Sequence, residues 1–364
     1  DGIIFVLLTA TGLRKIIFDA IPHVVKAAIP AGIGLFIAFL GLQDAKLVIP
    51  SESTGVTLAS FNLLGGAGWG AVMPLIVAVF SLLLIAVLSH KKVKGSILWG
   101  ILGGTGLYYI LGFTVKDFYK GFAETLSFNP FKPFSAFASE AFGKVFTEGF
   151  DFSAYLSADG HSVGGLVILF ITTALAFCMV DMFDTLGTLY GACRGGNLLV
   201  KNDKGELEVP NMDRAMMADA VATCTGSVLG TSTVTTFVES SAGVAAGGKT
   251  GVTSLVTAAA FAVALFFAPI AKLIPPYAYG AALIYVGVLM IGSVKDIDWK
   301  DVSVSVPAFL TVAMMPFTYN ISYGIAFGLF SYVIIKAFCG EIKQIKIGTW
   351  VVTALFVAMF FLTH

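Results

Sequence analysis

The stretch GTSTVTTFVESSAGVAAGGKTG, Gly230 to Gly251, decides how the whole chain is read. It lies among long apolar segments yet carries a carboxylate, Glu239, with no basic residue before Lys249. Thr231 to Val238 is almost all Thr, Ser, Val and Phe, side chains that favour extended backbone over helix. Ser240 to Gly248 has no bulky side chain except Val244, and predicts a short helix of roughly ten residues, about 15 Å or half a bilayer. A segment extended in one half and helical in the other leaves backbone N–H groups free at the changeover. Within a bilayer such a break survives only when it is buried in protein or lines a cavity. Broken helices near the midplane are how many secondary carriers build their substrate site. This stretch is therefore the expected binding site.

Composition supplies the membrane setting. Of 364 residues, 57% are hydrophobic and only 12% charged, about half the charged share of a soluble domain. Basic and acidic residues cancel, 22 against 22, so nothing favours a polyanion and nucleic acid is not an expected partner. Cys178, Cys193, Cys224 and Cys339 lack metal-ligand spacing, and His23, His90, His161 and His364 stand far apart at segment ends. Neither a metal nor a cofactor is expected. No HExxH, GxSxG or Cys/His pairing occurs, so an enzyme is not expected. A passive channel would call for a ring of repeated polar groups, and the acids here are asymmetric.

In chain order, Ile3 to Leu13 is apolar but only about eleven residues, short of a crossing of roughly 30 Å. It reads as the tail of a span whose beginning is missing, which makes the chain N-terminally truncated. Spans are predicted over Val24–Leu42, Ala71–Leu88, Ser96–Phe113, Gly164–Gly191, Ala215–Gly230, Val252–Ala268, Tyr277–Ile291, Val302–Phe317 and Ile321–Phe338. Thr349 to Leu362 either spans or lies in the interface. Thr114 to His161 is Phe-rich, amphipathic and too polar to span, and belongs at the interface. With strict alternation, the Lys/Arg turns from Arg14/Lys15 through Lys343/Lys346 fall on one side, which should be cytoplasmic. That parity requires Gly230 to Gly248 to count as one crossing.

Three intramembrane regions carry acids. Glu239 is expected at the start of the half-helix, where the helix dipole favours the charged form and a membrane interior the neutral one. Such a group suits proton exchange or pairing with a neutral hydrogen-bonding ligand. In MVDMFDTLGTLYG (Met179 to Gly191), Thr188 and Asp181 share a helix face with Asp184. Asp184 is assigned to function and Asp181 to bracing neighbouring helices. Asp219 is expected to be structural, pairing with Arg214 or capping a turn. Gly187 and Gly191 would admit another backbone, and Gly243, Gly247 and Gly251 have the spacing of a tight helix crossing.

These two motifs together resemble the AzgA-like branch of the nucleobase–cation symporters, the hypoxanthine, guanine and adenine permeases. The resemblance extends over essentially the whole chain, including IPAGIGLFIAFLGLQ (Ile29 to Gln43) and VPAFLTVAMMPFTYNISYGIAFG (Val306 to Gly328). It implies an all-α polytopic membrane protein with fourteen segments in two inverted repeats of seven, a core domain moving against a gate domain. The acids matching Asp184 and Glu239 would hold the base, with Thr188 at a further site position and the backbone at Phe237 and Val238 forming the second wall. Family members begin with three further spans and a facing half-helix, which are not found before Asp1.

On that mapping, residues 1–13 end a core span and 14–113 form the first gate spans. Residues 114–161 make an amphipathic extracytoplasmic connection, and 162–270 the core spans with the site. Residues 271–340 form the second gate spans, and 341–364 a C-terminal apolar segment. The implied activity is import of purine nucleobases across the plasma (inner) membrane by alternating access. The coupling ion is a proton, carried on Asp184 and Glu239, or sodium. Relatives of this fold suggest a homodimer. The alternatives are a carrier of uracil, xanthine or an anion on the same fold, or a passive channel.

Overall fold

The computed structural model describes all residues except 1, 64–67, 116–117, 119–131, 150, 157–161, 202–206, 268–270 and 364. It is helical apart from two short antiparallel hairpins. Helices α1 (Gly2–Ala10), α2 (Leu13–Ala20) and α3 (His23–Asp44) lead into the hairpin β1 (Val48–Ser51) and β2 (Gly55–Leu58). Then follow α4 (Trp69–His90), α5 (Ser96–Gly112), α6 (Lys132–Glu140), α7 (Lys144–Thr147) and α8 (Ser153–Leu156). The long α9 (Val163–Gly195) precedes the hairpin β3 (Val200–Lys201) and β4 (Leu207–Glu208). The remaining helices are α10 (Met212–Val228), α11 (Ser240–Ala245), α12 (Gly251–Phe266), α13 (Pro276–Ile291), α14 (Val302–Thr318), α15 (Ile321–Phe338) and α16 (Ile347–Thr363).

The apolar runs of the sequence become these helices with ends shifted by a few residues. Among the described residues, four are long and apolar enough to cross a bilayer: α3, α4, α13 with its short continuation to Lys295, and α15. Helices α5, α12, α14 and α16 are as apolar but shorter. Helix α12 has no buried residue, and its Val252, Leu255, Val256 and Phe261 are each more than 60% exposed. Left in water, each such side chain would forgo about 1.5–3 kcal/mol of burial. A helix apolar all round belongs in a core or in a membrane span, not in water.

The chain falls into two compact units. The first comprises Asp1–Ile33, Ala136–Ser241 and Met290–His364, and the second Gly34–Ser135 and Ala242–Leu289. In the first, α9 is gripped on several sides. Tyr190 packs on Phe18 of α2, Phe183 on Phe356 of α16 with ring centroids 4.8 Å apart, and the Ser322 hydroxyl of α15 donates to the Val180 carbonyl. Helices α14 and α15 form a tight hairpin because Tyr319 turns left-handed (φ 57°) and Asn320 caps α15, its Oδ1 accepting from the Ser322 and Tyr323 amides. In the second, α4 and α5 pack along Ile85 against Gly100, and the Ser89 and Tyr285 hydroxyls bond to each other.

Several expectations are corrected. The region after Leu42, read as a loop, contains the β1–β2 hairpin with Ser51 opposite Gly55. Arg14, read as part of a cationic turn, is fully buried, so it does not belong among the loop charges that set orientation. Gly243, Gly247 and Gly251 are not a helix crossing, since nothing lies within 4 Å of where their Cβ atoms would be. Of the predicted interfacial region, residues 116–117, 119–131, 150 and 157–161 lie outside the described residues, and α6 to α8 account for most of the rest.

Candidate functional site

Every residue assigned to the site lies in the first unit. The first wall is α9, whose start is capped by the Ser162 hydroxyl accepting from the Gly165 amide at 3.1 Å. Its 33 residues make a rod of about 50 Å, longer than the predicted span. Asp181, Asp184, Thr185 and Thr188 form one polar stripe at helical spacing, all buried except the partly buried Asp184. Gly187 lets α3 seat against the wall: a Cβ there would stand 2.9 Å from the Ile29 side chain and 3.0 Å from that of Ile33.

Asp181 does not brace a neighbour. Both of its carboxylate oxygens are buried without a hydrogen-bond partner, so the structural role expected from sequence lacks its contact. The Thr188 hydroxyl is buried in the same condition. It lies close to the Asp184 carboxylate, one turn away, without making a hydrogen bond to it.

The second wall is the chain from Thr231 to Glu239. Residues 233–237 belong to no helix and no strand, so the chain between α10 and α11 is broken, as the sequence predicts. Val238 is buried, Phe237 is 60% exposed, and the Glu239 side chain is open at the turn that leads into α11. Helix α11 has six residues rather than the predicted ten. Its continuation stops because Gly247 adopts φ +107°, a conformation that a side chain would strain. Glu239 lies near enough to Asp184 for the two charges to interact.

Helix α10 joins the walls, and sequence reasoning gave it no such role. Asp219 does not pair with Arg214. Its Oδ2 accepts from Arg14 at 3.2 Å and its Oδ1 from the Thr185 hydroxyl of α9 at 3.0 Å. Arg14 also donates to the Met216 carbonyl at 3.0 Å, and its guanidinium sits 4.5 Å from the centre of the Phe5 ring. One turn after Asp219, the Thr223 hydroxyl donates to the Val234 carbonyl of the second wall at 2.9 Å. A signal was present: Asp184/Thr188 and Asp219/Thr223 repeat one acid–threonine spacing of four, which places both members on one helix face.

Carboxylates and hydroxyls beside a helix break can accept and donate hydrogen bonds to a small polar ligand. With the long apolar helices, they define a multi-pass membrane protein of the carrier class. The chain belongs to the Permease family, whose description matches residues 1–327. It is 37% identical to a guanine/hypoxanthine permease of Bacillus subtilis, over 99% of this chain and 76% of that protein. It is 32% identical to an adenine permease of Escherichia coli, over 96% of this chain and 70% of that protein. A Methanocaldococcus jannaschii protein whose name is that of a permease without a stated substrate is 39% identical over 99% and 74%.

Proposed function

We propose that this permease imports purine nucleobases by proton-coupled alternating access across the inner membrane. The observation that carries the reading is the pairing of two walls. The α9 stripe with Asp184 and Thr188 stands beside a non-helical segment that carries Phe237, Val238 and Glu239. A purine is flat, uncharged and rimmed with N–H donors and ring-nitrogen acceptors. Glu239 accepts from ring N–H groups, and its open position leaves it free to meet a ligand. Asp184 holds another edge, with the unpartnered Thr188 hydroxyl as a further donor. The exposed Phe237 ring offers a face for stacking. Two acids disfavour an anionic substrate.

The names of the Bacillus and Escherichia relatives, guanine/hypoxanthine and adenine permeases, support the same substrate class. Asp184 and Glu239 are the groups that exchange the coupling proton; sodium is the other candidate ion. The architecture that goes with this reading is a pair of inverted seven-helix repeats with core and gate domains, and a homodimer. The test is uptake of radiolabelled hypoxanthine by the full-length gene product in cells lacking their own purine transport. Glu239→Gln should reach the membrane at normal level and lose uptake. Normal uptake in that variant would remove Glu239 from the site.

A further inference from the structure

Helix α10 touches both walls through one face. Asp219 and Thr223 are four residues apart and buried, at 7% and 2% exposure. From Asp219 the contact runs to Thr185, the neighbour of Asp184, at 3.0 Å. The Thr236 hydroxyl of the second wall also approaches this carboxylate. From Thr223 the contact runs to the Val234 carbonyl at 2.9 Å. The irregular segment after α10 lies close along the same face. A Cβ on Gly226 would stand 2.5 Å from the Val234 side chain, and the Thr231 amide donates to the Gly226 carbonyl. Backbone outside helix and strand in an apolar setting needs its carbonyls satisfied by something. At Val234 that partner is a single hydroxyl.

We infer that α10 is the spacer that sets the separation of the two site walls, with Thr223 as its positioning residue and Asp219, neutralised by Arg14, as its second anchor. This rests on the assignment of Asp184 and Glu239 to the purine site and adds to it. Thr223 does not touch the substrate. It holds Val234, five residues before Glu239, in the segment that leads to that acid. Loss of the hydroxyl lets that segment shift against α9, so the edges of a bound base no longer meet Asp184 and Glu239 together. Because the acids themselves are unchanged, the effect falls on binding and on the choice among bases, not on the amount of folded carrier.

The experiment compares Thr223→Val, which keeps the shape and removes the hydroxyl, with Thr223→Ser, which keeps the hydroxyl, both in the full-length protein. Initial uptake rates against hypoxanthine, guanine and adenine concentration are measured with membrane level and thermal stability. Thr223→Val should raise KM about three- to tenfold, the worth of one lost hydrogen bond, with near-normal maximal rate per transporter. It should also change the ratio of KM values among the three bases, and Thr223→Ser should restore them. Unchanged KM values in Thr223→Val, or an equal rise in Thr223→Ser, overturn the spacer. Should Thr223→Val fail to reach the membrane, Thr185→Val cuts the other tie and carries the same expectation and the same overturning result. Glu239→Gln is run alongside. If it abolishes uptake while Thr223→Val behaves as wild type, the spacer fails and the site stands. If Glu239→Gln transports normally, the site assignment fails and the spacer with it.

Discussion

Arg14 is wholly removed from solvent, and a guanidinium in that position has to meet an opposite charge. It finds one 205 residues further along the chain, in Asp219. Taking two charges into a poorly polarisable interior is offset only when their geometry is good and their remaining valences are used. Asp219 meets that condition through Thr185, and Arg14 largely does through Met216, although its Nε remains without a partner. Removing one member is therefore worse than removing both. Arg14→Gln is expected to destabilise the protein by about 3–5 kcal/mol, seen as a fall in the thermal unfolding temperature of the purified carrier in detergent. Arg14→Gln/Asp219→Asn should recover much of that loss, because no charge is then left buried alone. A double variant no more stable than Arg14→Gln would show that the pair is not what holds α10 to the first two helices.

At the scale of elements, packing inside lipid has little hydrophobic drive and depends on close van der Waals contact. In the second unit α3 and α13 meet backbone to backbone. A Cβ at Gly280 would stand 2.8 Å from the Gly41 carbonyl oxygen and 2.9 Å from the Ala45 amide. Neither atom can move aside as a side chain could. Gly280→Ala should lower stability by about 1–3 kcal/mol through forced separation of the helices, measured by the same unfolding assay. Gly243→Ala makes the contrast. It lies in α11 with open space around its Cβ position, and alanine favours helix over glycine. Its stability should be unchanged or slightly raised.

For the whole molecule, the expected behaviour is concentrative uptake that follows the proton gradient. Dissipating that gradient with an uncoupler should abolish accumulation of radiolabelled hypoxanthine while leaving exchange of internal for external base. Accumulation that survives the uncoupler and follows a sodium gradient would assign sodium as the coupling ion. Unlabelled guanine and adenine should compete for uptake and uracil should not. Competition by uracil alone would overturn the purine assignment.

The sequence alone determined the features that depend on neighbours along the chain. Helix α15 begins and ends where the apolar run does, because Asn320 caps its start and Gly340 turns the chain just past its end. The run Thr231 to Val238 interrupts the helices because its β-branched side chains disfavour helix. The break beside Glu239 was legible for the same local reason. Only the tertiary structure decided which charge each buried acid meets. Asp219 turned from the nearby Arg214 to the distant Arg14, and Asp181 has no hydrogen-bond partner. The glycine triplet proved to be a helix end with open space around it. These outcomes turn on which helix faces come together in space, and periodicity along one segment carries no information about the face that another segment presents.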